Sequence, residues 1–103
     1  MKREKQLVYK IKWDRHALKY VKKIKEKTLK EKIMDIIYKE IAIAPYTFER
    51  KSGDLNGYFT YKFIYHKIAY RIAYTIESNV VIVNIVLVGP HEGFYEHLKR
   101  FIK

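Results

Sequence analysis

With 103 residues, the chain is long enough for one compact domain with a single hydrophobic core and too short for two. Its 22 Lys and Arg outnumber 11 Asp and Glu, and the formal net charge of +11 predicts a polyanionic partner: nucleic acid, an anionic membrane surface or an acidic protein. The absence of cysteine excludes disulfides and thiolate zinc sites, and the four histidines lack the spacing of a metal site, so we expect no metal.

The first half of the sequence predicts a strand followed by two helices. Apolar and basic residues alternate over residues 7–13, as in a half-buried strand, and Asp14 can cap a helix that ends near Lys27. Thr28 opens a second helix with a capping-box sequence, and Pro45 stops it. We expect the two helices to form a hairpin.

The second half predicts three strands and a short helix. Residues 46–57 are polar and rich in turn formers, and they lead into strand-forming residues that a turn at residues 66–67 divides into two strands. The apolar run at residues 80–88 predicts a third strand that is central in the sheet and covered on both faces. The pair at residues 89–90 breaks this strand, and residues 92–103 have the amphipathic spacing of a terminal helix.

Together these elements predict an α+β fold with the order β-α-α-β-β-β-α. We expect a single domain over residues 1–103, with a small, twisted, mostly antiparallel four-stranded sheet, an N-terminal helical hairpin and a short C-terminal helix. No segment approaches the roughly 18 apolar residues that span a bilayer, and the N-terminal MKREKQ lacks the apolar core of a signal peptide. We therefore expect a cytoplasmic protein that does not bind a membrane.

Two cations are predicted to face each other in the middle of the sheet. A turn at residues 66–67 places Lys62 directly across from Arg71, and strand alternation puts both on the less bulky face. Like charges opposite each other destabilise a sheet, so this placement favours a bound anion such as a phosphate, which an arginine can grip with two hydrogen bonds. In the alternative interpretation, one cation pairs with a carboxylate such as Glu49 and the other reaches solvent.

Two side chains near the C-terminus are further candidates. His91 follows the central strand, where an imidazole that titrates near neutral pH can act as a general acid or base, although an exposed histidine after a turn is more often inert. The ring of Tyr95 can stack on an unpaired base or anchor the last helix. The residues alone leave both alternatives open at each position.

Three short motifs follow one another in the second half: LNG at residues 55–57, YRIAY at residues 70–74 and VLVGPHEGFYEHLKR at residues 86–100. Their order and spacing, together with the order of the elements, resemble those of the RelE/ParE superfamily of toxins from type II toxin–antitoxin systems. The resemblance covers essentially the whole chain. Within the superfamily, the mixture of site residues looks most like that of the RelE- and YoeB-like mRNA interferases, and of YoeB in particular.

The resemblance implies roles for individual residues. Arg71 matches the strand arginine that contacts the scissile phosphate, and Lys62 matches a lysine that activates or stabilises the reacting groups, whereas Ile64 replaces a second lysine. Glu49 matches the carboxylate that YoeB-like members use as a general base. His91 stands where members carry an Arg or His that assists the leaving group.

Tyr95 corresponds to a tyrosine near the C-terminus of family members, with a shorter spacing here. Lys51, His66 and Lys67 are the further residues that we expect to bind RNA. The resemblance therefore implies five catalytic positions and a surrounding basic surface.

The function that the resemblance implies is metal-independent cleavage of mRNA at the ribosome, which inhibits translation and requires no cofactor. The implied partners are mRNA, the ribosome and a cognate antitoxin protein. Two alternatives remain. ParE-like members inhibit DNA gyrase instead, and aromatic residues interleaved with lysines also suit a nucleic-acid-binding module without catalysis.

Overall fold

The structure is a computed structural model that describes residues 7–90 and 92–101. The described residues form five strands, β1 (Lys10–Trp13), β2 (Glu49–Arg50), β3 (Phe59–Tyr65), β4 (Ile68–Glu77) and β5 (Ile82–Pro90), and three α-helices, α1 (Arg15–Lys23), α2 (Lys27–Ile36) and α3 (Phe94–Lys99). A π-helical turn, Ile37–Ile41, continues α2, and 3-10 turns span Pro45–Thr47 and Gly53–Leu55.

The strands form one mixed sheet in the order β1-β5-β4-β3-β2. β1 runs parallel to β5, and the other neighbours are antiparallel. The expectation of a four-stranded, mostly antiparallel sheet was therefore wrong. The additional strand is β2, which lies in the segment interpreted as a polar loop and pairs Glu49 with Thr60 and Arg50 with Phe59.

One face of the sheet packs against α1 and α2. Ala17 and Val21 of α1 and Leu29 and Ile33 of α2 lie in one buried cluster with sheet residues, because helical spacing places them on the sheet-facing side. The buried sheet residues of this cluster are Phe59, Phe63, Tyr70, Ile72, Tyr74, Val83, Ile85 and Val88. This cluster is the main hydrophobic core.

The helix boundaries differ in part from the prediction. Asp14 caps α1 as expected, since its carboxylate accepts a hydrogen bond of 2.9 Å from the backbone N–H of His16. However, α1 ends at Lys23, because Ile24 takes an extended backbone conformation. The capping box at Thr28 was wrong: α2 begins one residue earlier and has no side-chain cap.

The opposite face carries α3. Phe94 and Leu98 are buried with Leu55, Ala73 and Leu87, so a short amphipathic helix is present as predicted. It is shorter than the expected residues 92–103, and residues 102–103 lie outside the described residues. None of the helices in the described part of the chain is long and apolar enough to cross a membrane.

The hairpin between β3 and β4 has the expected turn and register. His66 and Lys67 both have positive φ angles, 49° and 67°, which suit a two-residue hairpin turn but are strained for residues other than Gly or Asn. Lys62 is the Cα partner of Arg71, as predicted. β5 lies between β1 and β4, so it is an interior strand as expected, although β4 is the central one. The predicted break at residues 89–90 was wrong, because β5 runs through Pro90 and both residues pair with β4.

Candidate active site

Arg71 lies near the middle of the sheet, on the face that α3 covers in part. Its Cα partners are Lys62 on β3 and Gly89 on β5. Arg71 is only 9% exposed, whereas Lys62 is exposed. A Cβ atom added at Gly89 would meet no heavy atom within 4 Å, so the sheet surface beside Arg71 is open. The neighbourhood of Arg71 therefore has room for an anion.

Glu49 reaches the same region from the edge strand. Its Oε2 atom lies 3.0 Å from Lys51 Nζ, and Thr60, its Cα partner on β3, donates a long hydrogen bond of 3.5 Å to Oε1. Thr60 is in turn the Cα partner of Ala73, two residues along β4 from Arg71. Strand pairing thus carries the carboxylate towards the arginine.

Nearby cations hold the Glu49 carboxyl in its ionised form. The hydrogen bond from Lys51 is the largest influence on the pKa of Glu49 and lowers it; burial, the next largest, raises it, and the charges of Lys51 and Arg71 then lower it further. Burial is the largest single influence on the pKa of Lys51 and lowers it, but the hydrogen bonds and charge interactions with Glu49 and Tyr95 together outweigh burial, so the net pKa is raised. Glu49 and Lys51 are therefore an ion pair at neutral pH.

The ring of Tyr95 joins the two sides of this cluster. Lys51 Nζ lies 4.7 Å and Arg71 Cζ 5.1 Å from the centre of the ring. Both cations are therefore close enough to the same ring for cation–π attraction. Tyr95 is in α3, which is anchored by the neighbouring Phe94 and by Leu98. The docking of α3 consequently fixes where both cations lie.

Four of the five predicted catalytic residues are thus brought to one face: Glu49, Lys62, Arg71 and Tyr95, joined by Lys51. His91, the fifth, lies outside the described residues.

The two other expected RNA-binding residues lie elsewhere. His66 and Lys67 form the exposed tip of the hairpin, where the imidazole of His66 stacks on Tyr65 at 4.2 Å between ring centroids. The tip is about 13 Å along β4 from Arg71, given about 3.3 Å per residue. Contact of these two residues with RNA stays a prediction, and it would involve nucleotides farther from the phosphate at Arg71.

The sequence interpretation missed Thr60 and Gly89. Thr60 is two residues before Lys62, so the alternation that placed Lys62 on this face also placed Thr60 there, but its bond to Glu49 depends on the unexpected strand β2. The sequence predicts that Gly89 breaks the strand, but it lies within β5. Its place beside Arg71 depends on a register shift between Ala73 and Tyr74 that no sequence pattern marks.

This arrangement combines a carboxylate that can accept a proton with three cations, Lys51, Lys62 and Arg71, that can stabilise a phosphate. Within residues 7–90 and 92–101, no group of three or more His, Asp or Glu side chains is placed to hold a metal ion. The carboxylate and the cations of this cluster offer acid–base and electrostatic chemistry.

Comparison with known protein families gives one match over most of the chain. Residues 11–99 match the model of the ParE-like toxins of type II bacterial toxin–antitoxin systems. No curated protein matches the sequence closely enough to show a relationship.

Solved structures of similar fold include RelE toxins and their complexes with antitoxins. A mutant of the E. coli toxin RelE in the free state is 22% identical, with a TM-score of 0.74 over 93% of this chain and 99% of that one. The toxin–antitoxin complex RelBE2 from Mycobacterium tuberculosis gives 17% identity and a TM-score of 0.72 over 86% and 98% of the two chains. The isolated E. coli RelE toxin gives 25% identity and a TM-score of 0.60 over 91% and 99%. The fold is therefore that of RelE.

Proposed function

The chain belongs to the ParE-like toxins of type II bacterial toxin–antitoxin systems, and we propose that it acts as a metal-independent endoribonuclease that cleaves mRNA at the ribosome. The observation that carries this proposal is the buried Arg71 beside open space, with the Glu49–Lys51 ion pair held to it through Tyr95. This is a phosphate site next to a proton acceptor, which is what cleavage of an RNA backbone by its own 2′-hydroxyl requires.

In the proposed reaction, Glu49 accepts the proton of the 2′-hydroxyl, with Lys62 nearby to stabilise the oxygen that forms. The 2′-oxygen attacks the phosphorus atom, and Arg71 stabilises the charge that develops on the phosphate oxygens. The bond from phosphorus to the 5′-oxygen breaks, and His91, assigned from sequence alone, donates a proton to that leaving oxygen. The products are a 2′,3′-cyclic phosphate and a 5′-hydroxyl.

We assign Lys51 the role of adjusting the pKa of Glu49. An ideal general base has a pKa close to the working pH, and the lysine lowers the pKa of Glu49 in the free protein. A bound phosphate offers Lys51 another anionic partner. Movement of Lys51 from the carboxylate to the phosphate would raise the pKa of Glu49 when substrate is present.

Replacing Lys51 with Met is therefore expected to raise the pKa of Glu49 towards its ordinary value of 4.5. The variant removes the hydrogen bond and the charge that favour the ionised carboxylate, so the proton binds at higher pH. Carboxyl carbon NMR titration of Glu49 measures this pKa without any substrate. Lys67→Met makes the same change of charge at the hairpin tip and should leave the titration as it is; equal shifts in both variants, or none in Lys51→Met, would contradict the ion pair.

Cleavage itself is tested on translating ribosomes, with the ends of the RNA mapped. The protein is treated with EDTA and then freed of the chelator, so that the magnesium of the ribosomes is kept. We expect the treated and untreated protein to give the same cuts, with cyclic phosphate and 5′-hydroxyl ends. Loss of cleavage after EDTA treatment would overturn the metal-independent mechanism. Absence of cleavage by either preparation would overturn the proposed ribonuclease activity.

The same preparations distinguish the alternatives. The family match is to ParE-like toxins, so inhibition of supercoiling by DNA gyrase without RNA cleavage would identify a gyrase inhibitor. A binding module without catalysis would keep its RNA affinity and its cellular effect when Glu49 and His91 are both replaced with Ala.

We also propose a cognate antitoxin as the protein partner and the bacterial cytoplasm as its location. Similar toxins have been solved with antitoxins, as in RelBE2 from Mycobacterium tuberculosis and the archaeal RelE–RelB complex from Pyrococcus horikoshii. The net charge of +11 favours an acidic segment in the antitoxin.

A further inference from the structure

A cavity of about 370 Å³ lies at the outer edge of β5, between α1 and α3. β1 pairs with β5 over Ile82–Ile85, so the edge of β5 beyond Ile85 is open to this cavity. Leu87 and Val88 form an apolar wall, and His16, Tyr20 and His97 bring rings to it from the helices. The size suits a small ligand, since ligand cavities start at roughly 300 Å³.

We propose that this cavity binds one base of the RNA, the base adjacent to the phosphate that Arg71 holds. The inference rests on the proposed ribonuclease function and adds a subsite to it. Three features of the cavity support an RNA base as its occupant: ordered rings, a basic rim and direct continuity with Arg71.

The rings are held in place before any ligand arrives. The imidazole of His16 lies 3.0 Å from Asp14 Oδ1 and stacks on Phe101 at 3.9 Å between ring centroids, with an angle of 23° between the planes. The imidazole of His97 lies 5.2 Å from the same phenyl ring. Flat rings of this kind are the surfaces on which proteins stack unpaired bases.

The rim is basic. Lys19 and Lys23 of α1 line the opening and are exposed, so their ammonium groups can reach the phosphates on either side of a bound base. Glu92 also lines the cavity, and its carboxylate can accept hydrogen bonds from the N–H groups of a base edge. An apolar side chain of a protein would leave these polar groups unused.

Gly89 connects the cavity with the catalytic cluster. It lines the cavity and is also the Cα partner of Arg71 on the neighbouring strand. Neighbouring strands are about 5 Å apart, a distance that one RNA strand covers between a phosphate and the adjacent base. A phosphate at Arg71 therefore places the next nucleotide at the mouth of the cavity.

The test measures binding of short 2′-O-methyl RNA by fluorescence anisotropy. These oligonucleotides lack the attacking 2′-hydroxyl, so binding is read without cleavage. A set in which each base in turn is removed is compared with the intact oligonucleotide. We expect one position at which loss of the base weakens binding about tenfold, as the loss of one stacked base does.

The variants locate that base. In His16→Ala and in His97→Ala, the intact and abasic oligonucleotides should bind almost equally, because the stacking surface is gone. Lys23→Ala should weaken binding of every oligonucleotide, and more than its neighbour Lys22→Ala, which makes the same change of charge outside the cavity. Thermal unfolding of each variant verifies that the fold is kept.

The subsite is overturned if no abasic position weakens binding, or if the tenfold loss persists in both histidine variants. It is also overturned if Lys22→Ala and Lys23→Ala weaken binding equally. Cavity variants that bind RNA normally but lose a co-expressed antitoxin would assign the cavity to a protein partner. The two proposals fail on different readouts. If the protein discriminates the abasic position but never cleaves RNA, the proposed subsite stands and the proposed ribonuclease activity is overturned.

Discussion

Replacing Arg71 with Ala is expected to lower the rate of RNA cleavage about 100- to 1,000-fold, the usual cost of removing one preorganised group that stabilises a transition-state charge. Arg71 is buried and its guanidinium lies on Tyr95, so it is held in position before the substrate binds. Lys62, the Cα partner of Arg71, is exposed, and its flexible ammonium group cannot supply the two fixed hydrogen bonds of the Arg71 guanidinium. Single-turnover cleavage on ribosomes measures the loss.

We expect expression of the chain alone to arrest growth, and the same substitution should relieve that arrest. Arg71→Lys keeps the charge but not the planar pair of donors, so we expect it to recover only part of the rate. Lys25→Ala, an exposed cation in the turn between α1 and α2 with no assigned role, is the control for a general loss of charge. Cleavage at the normal rate by a folded Arg71→Ala protein would contradict the assignment of Arg71 to the phosphate.

The pairing of Lys62 with Arg71 could be predicted from the sequence because two independent signals agree there. Strand-forming residues alternate on both sides of residues 66–67, and a two-residue turn fixes which residues oppose each other. A slip of one residue would send the large aromatic side chains away from the core. Burial of those rings therefore makes this register the one the hairpin adopts.

The additional strand, β2, could not be predicted in the same way. Glu49 and Arg50 are two charged residues, which are too few to show alternation and have no strand preference of their own. They form a strand because β3 offers an unpaired edge next to them, a feature that exists only once the sheet is assembled. The consequence matters for function, since this pairing is what brings the carboxylate of Glu49 to Thr60.

The cavity beside β5 also could not be predicted from the sequence. Its walls come from α1, β5 and α3, and His16 and His97 are 81 positions apart in the chain. Each histidine by itself has the pattern of an ordinary surface residue. Their shared place in the cavity wall and their common contact with Phe101 become visible only in the folded structure.

Replacing Gly89 with Val is expected to lower kcat/KM for RNA cleavage about 100-fold, the size of effect that a misplacement of about 1 Å produces in an active site. Gly89 is next to Arg71 in the ladder, and a Cβ atom there has no heavy atom within 4 Å. The two methyl groups of Val would occupy space that we assign to the phosphate. Valine is a good strand former, so the fold should be kept.

The size of the new side chain at position 89 should control the effect. Gly89→Ala adds a single carbon to open space, so we expect a smaller loss than with Val, and both variants should unfold at temperatures close to that of the original protein. Because a displaced phosphate binds less well and also reacts more slowly once bound, the loss should appear in both KM and kcat. Equal kcat/KM for all three proteins would mean that the phosphate does not approach Arg71 across Gly89, and the substrate would then have to enter from the side of Lys62.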